Sequence, residues 1–107
     1  MPMINIEYDN KKIGKEDILK ISNAIQKIVS ETTKIEDVFV YANSAEIKIK
    51  VAPIEIFIQM SAHKITSEDE LMSQIKAKLS KWKKTQSFPY PINLSLIPMK
   101  WKIEIGI

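Results

Sequence analysis

The chain has 107 residues, of which 45% are hydrophobic and 27% are charged, and its net charge of +3 comes from 16 lysines, with no arginine, against 13 carboxylates. This length and composition predict one globular domain and exclude a largely disordered chain. Because the sequence contains no cysteine and a single histidine, His63, it excludes disulfides, thiol catalysis and a Cys/His zinc site within one chain. Its two glycines, Gly14 and Gly106, cannot supply a dinucleotide-binding fingerprint.

The longest uncharged stretch, residues 85–99, contains three prolines and is shorter than a bilayer-spanning helix. The N-terminus lacks the continuous apolar segment of a signal peptide. We therefore expect a cytoplasmic protein with no membrane partner.

In the first third of the chain, the spacing of apolar residues is first that of a strand and then that of a helix. Apolar and polar residues alternate over residues 3–8, which predicts a strand. From Glu16 to about Thr32, isoleucines recur every three or four positions, and Glu16 and Asp17 place carboxylates in the first turn, where the helix dipole favours them. This pattern predicts an amphipathic helix.

Two short alternating stretches follow the helix. Residues 38–41 and 46–51 predict a hairpin around Asn43-Ser44. The second stretch is expected to turn its apolar residues inward: Ile47, Ile49 and Val51.

The same order of patterns starts again at Pro53, which corresponds to Pro2. Residues 53–58 predict a strand, and Ser67 and Glu70 have the capping-box spacing of a second helix. The expected buried stripe of this helix consists of Leu71, Ile75, Leu79 and Trp82.

The end of the chain predicts two further strands. Ile92, Leu94 and Leu96 alternate with polar residues or small ones, and Pro98 is expected to end that strand. Residues 101–105 alternate again and predict a short last strand.

Two strand-helix-strand units, residues 1–52 and 53–107, predict a two-layer α+β fold in a single domain. One four-stranded mixed sheet carries both helices on one face, plus short extra strands. The other face, with several expected isoleucines, needs an apolar cover, and a second subunit is the simplest one. We expect a homo-oligomer, with the strand at residues 101–105 a candidate for pairing across an interface.

The N-terminal residues resemble those of a known superfamily. Pro2, Glu7 and Tyr8 look like the Pro-x-x-x-x-Glu-Tyr opening of the 5-carboxymethyl-2-hydroxymuconate isomerase branch of the tautomerase superfamily. Pro2-Met3 is similar to the opening of macrophage migration inhibitory factor, and the duplicated strand-helix-strand order matches over nearly the whole chain. The resemblance implies a trimeric, cofactor-free tautomerase or isomerase without a metal.

The resemblance also implies substrate-binding residues. Lys34 is similar to the cytokine's active-site lysine, and His63 and Lys64 lie where the cytokine has a pocket-lining turn. Asn93 looks like the asparagine that reaches into the neighbouring subunit's pocket.

Pro2 is the predicted catalytic residue. Removal of Met1 leaves a secondary amine, and burial in an apolar pocket or a nearby ammonium favours its neutral, basic form. Such a base can move a proton between carbon and oxygen of a small α-keto or enol acid. Lys34 or Lys64 could then stabilise the charge on the enolate oxygen.

Two other functions stay open. The chain could be a catalytically silent oligomer of the same fold that acts as an interaction protein. Lys81, Lys83 and Lys84 around Trp82 could bind nucleic acid, but Trp82 falls on the buried stripe, so a solvated helix end explains them better. We therefore expect no nucleic-acid partner.

Overall fold

The computed structural model describes residues 1–107 and contains four strands and two long helices in the order strand-helix-strand, repeated once. A 3-10 helix follows the third strand. The elements are β1 (Met3–Tyr8), α1 (Lys15–Thr33), β2 (Phe39–Asn43), β3 (Ile54–Ser61), the 3-10 helix (Ala62–Lys64), α2 (Glu68–Gln86) and β4 (Ile92–Met99).

The strands form one mixed sheet in the order β2-β1-β3-β4. β1 pairs in parallel with β2, β3 pairs in parallel with β4, and the two halves join through the antiparallel pair β1 and β3. The predicted α+β class and the four-stranded mixed sheet are therefore confirmed.

Isoleucine forms most of the core between the sheet and the helices. Alternate residues of β1 and β3 face the helices because successive side chains of a strand point to opposite faces. Each buried isoleucine contributes about 1.5–3 kcal/mol of hydrophobic stabilisation. The fully buried isoleucines of the sheet and helices are Ile4, Ile6, Ile21, Ile25, Ile54, Ile56, Ile58 and Ile75.

The predicted start of the second helix is confirmed. Ser67 is the N-cap of α2, and its Oγ accepts a hydrogen bond of 3.2 Å from the backbone N–H of Glu70. Ser87 ends the helix in the left-handed region with φ of 51°, and the N–H of Phe88 bonds back to the carbonyl of Lys83 at 3.0 Å. Of the predicted stripe, Ile75 and Leu79 are buried, whereas Leu71 and Trp82 are half-buried.

The predicted strand at residues 46–51 is wrong. Lys48 Nζ donates hydrogen bonds of 2.9 Å to Asn10 Oδ1, in the turn after β1, and to Ser44 Oγ and the carbonyl of Ala45, which directly follow β2. The segment therefore folds back on its own first residues and on that turn, and it joins no strand of the sheet. Ile49, expected to face inward, is 100% exposed. Alternation indicates an extended segment but cannot show whether a neighbouring strand is present.

The C-terminal predictions also need correction. β4 continues through Pro98 to Met99 because it is an edge strand, where the missing N–H of proline costs no ladder bond. Residues 101–105 form no strand, and Ile103 and Ile105 are exposed. The short extra strands are therefore absent from the chain.

The sheet face opposite the helices has no cover within the chain. By register it carries a mixture of polar and apolar side chains, with a single isoleucine where several were expected. Phe39 and Tyr41 are 43% and 50% exposed. The apolar side chains of this face are Met3, Phe39, Tyr41, Phe57, Ile97 and Met99.

Candidate functional site

Pro2 lies immediately before β1, and its side chain is fully buried. Its carbonyl accepts a hydrogen bond of 3.1 Å from the N–H of Phe39, which joins it to the start of β2. The antiparallel register pairs Met3 with Gln59, so Pro2 is beside the C-terminal end of β3. Pro2 therefore lies at the end of the sheet where β1 and β2 begin and β3 and β4 end.

Three of the predicted substrate-binding residues lie at this same end. Lys34 ends α1 in the left-handed region with φ of 61°, just before β2, and its side chain is exposed. His63 and Lys64 belong to the 3-10 helix that follows β3, and both are exposed.

Lys64 and His63 line different pockets. Lys64 faces a pocket of about 410 Å³ between the end of α1 and the start of α2, together with Thr33 and Ser67. His63 faces a second pocket, between the ends of β3 and β4. The structure thus brings these residues to one end of the molecule but not into one cavity.

Asn93 lies at the opposite end of the sheet. It is the second residue of β4 and pairs with Glu55 near the start of β3. β4 separates it from Met99 by about 20 Å at the usual rise of a strand. A single chain therefore does not bring Asn93 to Pro2.

The pocket that contains His63 has a volume of about 440 Å³ and carries positive charge. Its lining includes the side chains of Lys100 and Lys102 and no carboxylate. Such a pocket favours an anion, with the indole ring of Trp101 as an apolar wall. The full lining is Ser61, Ala62, His63, Met99, Lys100, Trp101 and Lys102.

Ser61 positions the imidazole in this pocket. Ser61 is buried, at 7% exposure, and its Oγ lies 3.1 Å from Nδ1 of His63. When the hydroxyl donates to Nδ1, Nε2 carries the proton and becomes a hydrogen-bond donor. The pair can therefore present an N–H group to a carboxylate or an enolate oxygen.

Met99 and Lys100 are pocket residues that the sequence patterns did not predict. The register pairs Ser61 with Met99, so the residues that follow both strands meet at the same end. The prediction that Pro98 ends the strand concealed this, because a break there separates residues 99–102 from the end of β3. An edge strand tolerates proline, so the run from Ile92 to Met99 could have been predicted as one strand with Pro98 inside it.

No three histidine, cysteine, aspartate or glutamate side chains converge in a group that could hold a metal ion. Neither α1 nor α2 combines the length with the hydropathy that a bilayer-spanning helix requires.

No protein-family model and no curated protein matches this sequence. Its fold, however, matches solved structures. A 5-carboxymethyl-2-hydroxymuconate delta-isomerase is 11% identical with a TM-score of 0.66, and the match covers 99% of this chain and 89% of that one. A fused 4-OT in an asymmetric trimer is 10% identical with a TM-score of 0.63, covering 94% and 91% of the two chains.

A macrophage migration inhibitory factor-like protein from Entamoeba histolytica is 16% identical with a TM-score of 0.58, and the match covers 96% of this chain and 93% of that one. These neighbours are members of one superfamily. The chain has the tautomerase fold. The predicted resemblance is thereby confirmed for the fold.

Proposed function

We propose that the protein is a cofactor-independent keto-enol tautomerase or isomerase whose general base is the amine of Pro2 after removal of Met1. One observation carries this proposal: Pro2 is buried at the end of the sheet where the positively charged pocket of His63 and Lys100 lies. The match to a muconate isomerase in fold supports it.

The Pro2 amine takes a proton from the carbon next to a carbonyl and returns it at another atom of the enolate. A buried amine surrounded by apolar side chains favours its neutral form because burial disfavours charge. A positioned general base of this kind contributes about 100-fold to 10,000-fold in rate.

The substrate is a small α-keto or enol acid. His63, Lys34 and Lys64 lie at the Pro2 end of the sheet, and their N–H and ammonium groups suit a carboxylate. One of the two lysines stabilises the developing enolate oxygen, since charge that forms in the transition state gains most from a fixed opposite charge.

The active form is a homo-oligomer, namely a trimer, in the cytoplasm. Asn93 supports this assembly because it lies at the far end of its own sheet and can reach a Pro2 pocket only in a neighbouring subunit. The uncovered sheet face offers the area for such contacts, and the fused 4-OT of the same fold is a trimer.

The test uses protein from which Met1 has been removed, as verified by mass spectrometry, and measures the ketonisation of phenylenolpyruvate. Pro2→Ala is expected to lower kcat/KM by about 100-fold or more. Pro53→Ala is the matched control, since Pro53 precedes β3 as Pro2 precedes β1 but carries an amide nitrogen. Equal rates for wild type and Pro2→Ala contradict the enzyme proposal.

The alternative is a catalytically silent tautomerase-fold oligomer that binds another molecule. Its supporting observation is that Pro2 lines neither the pocket of His63 nor that of Lys64. A Pro2 nitrogen that stays acylated by Met1 is moreover an amide without basicity. Retention of Met1 on protein purified without a tag, found by mass spectrometry, favours this alternative.

A further inference from the structure

A groove lies between α1 and α2 on the solvent side of the helix layer. Its volume is about 450 Å³, and both helices contribute to its lining. Its apolar residues are Ala24 and Ile28 of α1 and Trp82 of α2, and the remaining side chains are polar or charged. We call this cavity the helix groove. None of its residues lines the pocket of His63 or that of Lys64.

The helix groove carries positive charge. Lys20, Lys27 and Lys78 line it, and Glu31 is its only carboxylate. None of the three lysines takes part in an ion pair. Lys78 donates a hydrogen bond of 2.9 Å to Oγ1 of Thr32, but an ammonium has three donors, so two remain for a ligand. The groove therefore attracts an anion.

The positive charge continues along the exposed side of α2. Residues 71–86 of this helix contain five lysines and no carboxylate, whereas the net charge of the whole chain is only +3. Lys76, Lys81 and Lys84 are exposed, in addition to Lys78 in the groove. Because a surface with charge of one sign raises the local concentration of a polyanion, this side of the molecule favours a partner with many negative charges.

Trp82 adds a flat aromatic ring to this charged surface. The sequence patterns place Trp82 on the buried stripe of α2, and the expectation of no nucleic-acid partner depended on that placement. In the structure Trp82 is half-buried and lines the helix groove. Its ring packs against the buried ring of Phe88, with 5.1 Å between the two centroids. This contact holds the indole in place, so a ligand that stacks on it does not have to order it first.

Ammonium groups around a fixed indole suit single-stranded nucleic acid. Lysine binds phosphate as a point charge, and unpaired bases stack on aromatic rings. A duplex offers no such base, because its bases are stacked on one another. An acidic peptide binds through carboxylates, for which the two-pronged guanidinium of arginine is better suited, and the chain contains no arginine.

We propose that the helix groove binds single-stranded nucleic acid, with phosphates on Lys20, Lys27 and Lys78 and one base stacked on Trp82. Contacts to phosphates and to the face of a base do not select a sequence. The helix layer and the uncovered face lie on opposite sides of the sheet, so the groove stays accessible when another subunit covers that face. The inference does not rest on the proposed function, since the two sites share no residue.

The test measures the fluorescence anisotropy of a labelled thymidine oligonucleotide of about 12 nucleotides at several salt concentrations. Each phosphate contact of a single strand contributes about 0.7 to the slope of log affinity against log salt, so three contacts predict a slope of about −2. Lys27→Gln is expected to weaken binding and to reduce the size of this slope by about 0.7. Lys50→Gln, which removes the same charge from the exposed segment after β2, is the matched control and should change neither.

Two further variants test the ring and the carboxylate. Trp82→Leu is expected to weaken binding about ten-fold at every salt concentration without changing the slope. Because Trp82 also packs against Phe88, circular dichroism must show that this variant is folded. Glu31→Gln, at an exposed position, removes the one negative charge of the groove and is expected to tighten binding about two-fold or more.

Four results each overturn the inference. They are a wild type that does not bind the oligonucleotide, a folded Trp82→Leu with wild-type affinity, a Glu31→Gln that binds no tighter, and a duplex of the same length bound as tightly as the single strand. Polyglutamate that displaces the oligonucleotide at equal charge concentration also overturns it, in favour of an acidic peptide. Pro2→Ala is expected to lose tautomerase activity and to bind the oligonucleotide as wild type does. An inactive wild type that binds the oligonucleotide overturns the proposed function alone.

Discussion

The hydroxyl of Tyr90 donates a hydrogen bond of 3.1 Å to the carboxylate Oδ2 of Asp17, in the first turn of α1. This bond joins the segment before β4 to the first helix, across the two halves of the chain. The hydrogen bond to Asp17, together with partial burial and the negative charge of that carboxylate, raises the pKa of Tyr90 above its ordinary value of 10.0.

The Tyr90 bond predicts a loss of stability in alkali. Since the folded state holds the phenol proton more tightly than the unfolded state, the contribution of Tyr90 is complete below pH 10.0 and is lost as pH rises through the raised pKa. Chemical unfolding of wild type and Tyr90→Phe is expected to give a stability difference that shrinks above pH 10.0. Tyr41→Phe, an exposed tyrosine without such a bond, is the control. A pH-independent difference contradicts this account.

Ser67→Ala is expected to destabilise the protein because it removes the N-cap of α2. Loss of the bond from Ser67 Oγ to the N–H of Glu70 leaves a helix donor without its partner, and the free energy of unfolding is expected to fall by about 1 kcal/mol. Ser67→Asp should retain most of the stability. Ser73→Ala, in the exposed part of the same helix, serves as the control in urea denaturation, and an equal effect of the two alanine variants is the contrary result.

The hydrogen bonds of Lys48 are expected to stabilise the segment after β2, both within residues 44–48 and against the turn after β1. Lys48→Met keeps the length of the side chain but loses three hydrogen bonds of 2.9 Å. Because bonds to charged groups contribute about 1.5–3 kcal/mol, stability is expected to fall within that range in denaturant unfolding. Lys50→Met, at an exposed position of the same segment, should have little effect. Equal stability of both variants would show that the three hydrogen bonds of Lys48 are not stabilising.

Ser61→Ala is expected to change KM and kcat to different extents. Ser61→Ala removes the hydroxyl that positions Nδ1 of His63. If His63 binds the substrate carboxylate, KM for an enol acid is expected to rise about ten-fold while kcat changes little. Ser80→Ala on the exposed face of α2 is the control. A fall in kcat with unchanged KM would instead place His63 in the chemical step.

The local patterns of this sequence predict most of its fold. The alternation of residues 3–8 matches β1, and the isoleucine period from Glu16 matches α1 to within one residue at each end. The N-cap role of Ser67 was predicted correctly because a capping box depends only on residues that are close in sequence. These elements follow from periodicity and local hydrogen bonding, which a sequence displays directly.

Long-range contacts account for the errors. Residues 46–51 alternate like a strand, but their conformation depends on the hydrogen bonds that Lys48 donates to Asn10 and Ser44. The first of these joins residues that are far apart in sequence. The effect of Pro98 depends on β4 being an edge strand, which the order of strands decides. The His63 pocket was predicted only in part for the same reason, since Lys100 reaches it through the pairing of β3 with β4.

The catalytic role of the Pro2 amine is tested by comparing the protein with and without Met1 in the ketonisation of an enol such as phenylenolpyruvate. Both forms share every residue from Pro2 to Ile107, and the Pro2 nitrogen is an amine in one form and an amide in the other. The Met1-free form is expected to exceed the Met1-bearing form in kcat/KM by about 100-fold or more. Equal rates for the two forms would contradict a catalytic role for the Pro2 amine.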